Sequence, residues 1–215
     1  MKEQALLLTD IQKYPNEDTA GISKIHTDAK SVLQGAFKYG EVDGATVVKN
    51  WFGSINADVF ISHSGKDHNK VLGLASKLKS EGFKPFVDSL FWGNVDELIK
   101  TTFQNQSKND LTTAMKFCAD YYMLLSMALV EMIESTRAFI FVDSSNSLNS
   151  NISGNTTSPW IYLELKTAEK RYPITLNESY LSHATESVSF PTPTTWLKKI
   201  KRVNYLNLMN TLRNG

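Results

Sequence analysis

Cysteine is almost missing from this chain: Cys118 stands alone in 215 residues, so no disulfide can form within it and a reducing compartment suits it. An excess of charge is missing too. With 23 Lys and Arg against 22 Asp and Glu the formal net charge is +1, which supplies no global field to draw the chain onto nucleic acid or an anionic membrane. Neither is expected as a partner. Long apolar runs are also absent. The one near the start, Ala5 to Leu8, meets Thr9 and Asp10 at once, too soon for a signal-peptide core and far too soon for a membrane span. A soluble protein of the cytoplasm is the expectation. No internal repeat or low-complexity tract interrupts the sequence, and its 41% hydrophobic and 21% charged content is that of an ordinary globular chain able to bury a core without metals or disulfides.

Residues 1–56 mix short helical patterns with turn signals such as Tyr14-Pro15-Asn16-Glu17 and Gly40-Glu41-Val42-Asp43-Gly44, and read as a helical N-terminal extension. Residues 57–215 read as the main domain. Ala57 to Ser62 is a β-branched and aromatic run entering a polar loop, as a buried parallel strand does. Val71, Leu74, Ala75 and Leu78 then place one apolar stripe on a helix that Gly82 can end. Lys84 to Asp88 is a second strand, and Trp92 to Ile99 opens another helical stretch. From Leu111 the positions Met115, Cys118, Tyr122, Leu125, Leu129 and Met132 recur in steps of three and four, with Tyr121, Leu124 and Ala128 widening the stripe; this predicts a long, largely buried helix. Ala138 to Asp143 is the third strand, and Ser144 to Thr157 an exposed loop. Another helix begins near Ser158 and Pro159, a cap and a first-turn proline. Pro173 to Leu176 and Glu186 to Phe190 read as short strands, and Thr194 to Val203 as a helix capped by Thr194. Strands separated by helices pair in parallel, so a flavodoxin-like three-layer open sheet is predicted.

In such a sheet the residues that follow each strand converge on one rim, where ligands bind. Ser62, His63 and Ser64 follow the first strand, Asp88 and Ser89 the second, and Asp143 and Ser144 the third. Trp160 and Glu164 are four apart on the helix after the third strand, hence on one face of it. A carboxylate beside an aromatic plane can hold a sugar by its hydroxyls and stack a flat ring.

The segments Asp58-Val59-Phe60-Ile61-Ser62-His63-Ser64, Phe86-Val87-Asp88 and Trp160-Ile161-Tyr162-Leu163-Glu164-Leu165 resemble, in order and spacing, the first strand, second strand and Trp-x-x-x-Glu-Leu segment of Toll/interleukin-1 receptor (TIR) domains. Asp88-Ser89-Leu90-Phe91-Trp92-Gly93 and Ser158-Pro159-Trp160 bring the chain nearest to stand-alone bacterial TIR proteins, the group that includes sensor subunits of antiphage systems such as Thoeris. The resemblance implies that NAD is a substrate, with no bound cofactor. Its nicotinamide N-glycosidic bond would be cleaved to give nicotinamide and ADP-ribose, a cyclic isomer or an ADP-ribose conjugate. Glu164 would be the catalytic residue. Ser62, His63 and Ser64 would meet ribose or phosphates, Trp160 would wall the nicotinamide, and Asp88, Ser89 and Trp92 would line the same pocket. Self-association through TIR contacts and a separate effector protein that senses the product are also implied. A catalytically silent TIR interaction module and a nucleoside deoxyribosyltransferase-like enzyme are the alternatives.

Other residues invite chemistry that the spacing does not support. His63, His68 and Asp67 lack a further spaced ligand, so no metal is expected. Ser64-Gly65-Lys66 has Asp67 where a phosphate loop needs Ser or Thr. Asp96 and Glu97 are placed as first-turn helical carboxylates rather than as hydrolase partners of Asp88. Cys118 reads as a buried structural thiol, and Lys198-Lys199-Ile200-Lys201-Arg202 as one solvated helix face.

Overall fold

The computed structural model describes residues 3–11, 44, 55–90, 111–148, 155–173 and 190–215. In chain order the strands are β1 (Gln4–Leu8), β2 (Val59–Ser62), β3 (Pro85–Val87), β4 (Ala138–Val142), β5 (Asn155–Thr156), β6 (Phe190–Pro191) and β7 (Lys201–Val203). The helices are α1 (His68–Ser80), α2 (Leu111–Ser135), α3 (Pro159–Arg171), α4 (Thr194–Lys199) and α5 (Tyr205–Asn214), with a 3-10 turn at Gly65–Asp67.

Five strands form an all-parallel sheet in the order β3-β2-β4-β1-β7, and β5 pairs antiparallel with β6 beside it. Alternation along the strands divides the core between two faces. Leu7, Phe60, Phe86, Phe139 and Phe141 pack with residues of α2, α3 and α4, whereas Leu6, Leu8, Val59, Ile61, Ile140 and Val142 pack with α1 and α5. The result is the expected three-layer open α/β sheet of flavodoxin-like type. Two of the three expected caps form: Ser158 Oγ accepts from the Ile161 amide at 3.3 Å, and Gly82 leaves α1 at φ +89°, a conformation that favours glycine. Thr194, in contrast, is the first residue of α4, and Pro193, which has no side-chain acceptor, stands at its cap.

The stretch expected as an exposed loop from Ser144 to Thr157 holds the buried Ser147 and ends in the buried strand β5, and three further elements correct the sequence reading. Gln4–Leu8 is not part of a helical extension but an inner strand, paired with β4 on one side and β7 on the other. Its leucines point alternately to both cores, and Leu6, Leu7 and Leu8 are no more than 2% exposed; a run apolar on both faces is what an inner parallel strand requires. This strand takes the fourth place of the flavodoxin-like order, next to β4. The rest of the expected extension, apart from residues 3, 9–11 and 55–56 and the single helical residue Gly44, lies outside the described residues, as do the helical stretch from Trp92 to Ile99 and nearly all of Pro173–Leu176 and Glu186–Phe190.

The second correction is α2, whose C-terminal half is buried through Tyr121, Leu125, Ala128, Leu129, Met132 and Ile133 while Met115, Met123 and Met127 are exposed and Cys118 is half-buried. The third is the C-terminal basic segment. Its backbone turns extended at Ile200 (ψ 149°), so Lys198 and Lys199 end α4 while Lys201 and Arg202 lie on edge strand β7 with Ile200 buried between them. They do not share a helix face. Among the described residues no helix is long and apolar enough to cross a membrane.

Candidate functional site

The helix after β2 packs on one face of the sheet and the helix after β4 on the other, so the two chains diverge above the carboxyl ends of neighbouring strands β2 and β4. This is the topological switch point at which open α/β sheets form their crevice. Ser62 is the last residue of β2, and Glu164 lies on α3 among Ile161, Leu165 and Ala168, which face the same core. The apolar positions around Glu164 turn it inward: it is 1% exposed, and Ser62 Oγ donates a 2.5 Å hydrogen bond to its Oε2. No hydrogen-bond donor reaches the buried Oε1.

Asp88, the residue after β3, is 4% exposed and lies against this carboxyl. Burial first, and then the Asp88 charge, push Glu164 well above the usual carboxyl range, against the opposing hydrogen bond from Ser62. Two ionised carboxylates so close would repel, which favours the protonated form of Glu164.

Asp88 leads outward to two imidazoles. His63 Nδ1 lies 3.2 Å from Asp88 Oδ1 and 3.2 Å from the Ile61 carbonyl, and His63 Nε2 lies 2.8 Å from Ser89 Oγ. On its other side Ser89 Oγ is 2.7 Å from His68 Nδ1. Burial, assisted by His63 and opposed by Asp88, lowers His68 below the usual imidazole value, which leaves it neutral at neutral pH. The five groups Ser62, Glu164, Asp88, His63 and Ser89, all expected at the rim, are thus brought into one connected cluster, with His68 added to it.

Ser64 and Trp160 stand differently. Ser64 caps the 3-10 turn, accepting from the Lys66 amide at 3.4 Å, and Trp160 is half-buried with its ring 5.9 Å from that of Tyr122 on α2. Trp92 lies outside the described residues. His63 and His68 both turn to Ser89 while Asp67 turns away, and among the described residues no group of three or more His, Cys, Asp or Glu is placed to hold a metal ion.

Asp67 is the rim residue that sequence reasoning passed over as a failed phosphate loop. It is 1% exposed and accepts hydrogen bonds from Ser144 Oγ at 2.5 Å and Asn146 Nδ2 at 2.9 Å. With Thr9, Asp10, Lys70 and Asp143 it lines a separate cleft of about 340 Å³ at the ends of β1 and β4. The available signal was an acidic residue in the loop after one strand and a Ser/Asn-rich loop after another. Compared with known proteins, the chain matches no family model, no curated protein and no solved structure.

Proposed function

We propose that this chain is a TIR-type enzyme of the cytoplasm that cleaves the nicotinamide N-glycosidic bond of NAD, with Glu164 as its catalytic residue. The observation that supports it is a buried carboxyl pair, Glu164 and Asp88, at the switch-point rim, with Glu164 held by Ser62 and shifted towards its protonated form by burial and by Asp88. As the bond breaks, its electron pair passes to the nicotinamide nitrogen, the base leaves neutral, and the ribose gains oxocarbenium character. The leaving group needs no acid. One negative charge on the pair, in a site of low dielectric, stabilises the developing cation through the ribose hydroxyls, an effect typically amounting to about 3–4 kcal/mol. Water, or a nucleophile on the same or another molecule, then bonds to the anomeric carbon and yields ADP-ribose, a cyclic isomer or a conjugate.

Glu164 is closed from solvent in the resting chain, so the substrate reaches it only when the rim opens, as on self-association. In the proposed setting the product is a signal in antiphage immunity, read by a separate effector protein. The reading as a silent interaction module draws on a different observation, the exposed Met115, Tyr122, Met123 and Met127 of α2, at 64, 39, 63 and 47%.

Incubating the full chain with NAD and following nicotinamide by chromatography separates these readings. The expected result is release that falls about 10²- to 10³-fold in Glu164→Gln. Release that survives this substitution removes Glu164 from the mechanism; no release at any protein concentration leaves the interaction module. Cleavage of deoxynucleosides in place of NAD identifies the deoxyribosyltransferase-like alternative.

A further inference from the structure

We propose that Asp88, His63, Ser89 and His68 form a proton-exchange path between the buried Glu164–Asp88 pair and the protein surface. The order of burial fits a path that leads outward: Glu164, Asp88 and His63 are buried, and Ser89 and His68 half-buried. The two inner-to-outer links through Ser89 are hydrogen bonds, at 2.8 Å from His63 and 2.7 Å from His68, and His63 Nδ1 stands 3.2 Å from Asp88 Oδ1, a distance at which a small rotation of the ring brings the proton to the carboxyl.

The donors can be assigned from the acceptors around them. His63 Nδ1 is hydrogen-bonded to the Ile61 carbonyl, which can only accept, and has the Asp88 carboxyl beside it, so it carries the proton. In the neutral ring Nε2 is then bare and accepts the Ser89 hydroxyl. The Ser89 oxygen in turn accepts from His68 Nδ1–H. Every hydrogen bond therefore points inward. A proton bound at His68 Nε2 releases the Nδ1 proton to Ser89, the Ser89 proton passes to His63 Nε2, and the His63 Nδ1 proton passes to Asp88. One proton has entered and no atom is left over. Carrying a proton out uses the opposite tautomers of both rings, with the Ser89 hydroxyl turned from one imidazole to the other. The titratable groups that act on this path are Asp88 on Glu164, and His63 and Asp88 on His68.

The use made of the path rests on the proposed NAD chemistry: hydrolysis of NAD to nicotinamide and ADP-ribose liberates one proton, and a carboxyl pair closed from solvent must discharge it before the next turnover. Ser89 and His68 act here through Asp88 and not on the substrate. They are positioning and relay residues.

The test is time-resolved infrared spectroscopy after a pH jump, which reads the carbonyl stretch of the protonated carboxyl and assigns it by its loss in Glu164→Gln. Ser89→Ala and His68→Ala should slow re-equilibration of this band by at least about tenfold, a small part of the 10²- to 10⁴-fold effects of positioned proton transfer. Ser89→Thr, which keeps the hydroxyl, should exchange at the wild-type rate, and free imidazole should restore His68→Ala. Wild-type rates in both alanine variants with native circular dichroism overturn the path, as does the absence of a protonated carboxyl band in the wild type near neutral pH. In parallel, Ser89→Ala should lower kcat for nicotinamide release and Ser89→Thr should restore it. Exchange that depends on Ser89 in a protein that releases no nicotinamide supports the path and overturns the NAD reading alone.

Discussion

A carboxyl held above its usual range ties the site to the stability of the fold. Because Glu164 binds its proton more tightly folded than unfolded, folding takes up a proton as pH rises past the usual carboxyl range. Its contribution is complete below that range and is lost as pH climbs through its raised folded value. Glu164→Gln removes the titration yet keeps the geometry: the amide oxygen still accepts from Ser62, and the neutral amide brings no charge into the buried site beside Asp88. The variant should therefore be more stable than the wild type near pH 8, by about 1–3 kcal/mol, and show almost no gain near pH 4.5. Thermal midpoints at the two pH values check this, at roughly 2–4 °C per kcal/mol for a chain of this size; an equal loss at both would mean that Glu164 is held as an anion. The rim residues were legible because each directly follows a strand or lies on the face of α3 that the apolar spacing turns inward. The proton was not, because it depends on the approach of Asp88 from a different strand, and no spacing within either segment encodes that distance.

At the level of single elements, the local signals that were read correctly are those whose chemistry is complete within a few residues. Ser158 reaches the Ile161 amide within one turn, and Gly82 supplies its own left-handed conformation. Each can be removed separately. Ser158→Ala and Gly82→Ala should each cost about 1 kcal/mol, the first by orphaning an amide of α3 and the second by forcing a side chain into positive φ. Urea titrations should show lower midpoints with an unchanged slope, since neither substitution alters the surface exposed on unfolding; a changed slope would point to a disturbed native or denatured ensemble. The elements misread are those defined by distant partners. Lys201–Val203 offers only three residues of alternation, less than any periodic signal needs, and becomes a strand because Leu6, Leu7 and Leu8 pair with it. The same limit hid the exposed side of α2: steps of three and four mark a stripe, but they do not say how far along the helix the core extends.

For the molecule as a whole, the decisive element is the N-terminal strand. β1 separates β4 from β7, and its leucines enter both cores. Burying three leucines contributes about 5–9 kcal/mol at 1.5–3 kcal/mol each, which matches the whole net stability of a typical domain, about 5–15 kcal/mol. The nearby Glu3–Arg171 ion pair adds little by comparison, since Glu3 is 59% exposed. Without β1, both edges of the gap would be unpaired, and one of them, Ala138–Val142, is apolar along its length, an invitation to association between chains. A chain that starts at Ile55 should consequently fail to unfold cooperatively and should aggregate on dilution from denaturant. A peptide of residues 1–11 added in trans should restore part of the circular dichroism of the full chain, because it supplies the missing strand without its covalent link. Under the alternative of a dispensable extension, the shortened chain would fold by itself with a cooperative transition near that of the full protein, and the peptide would change nothing.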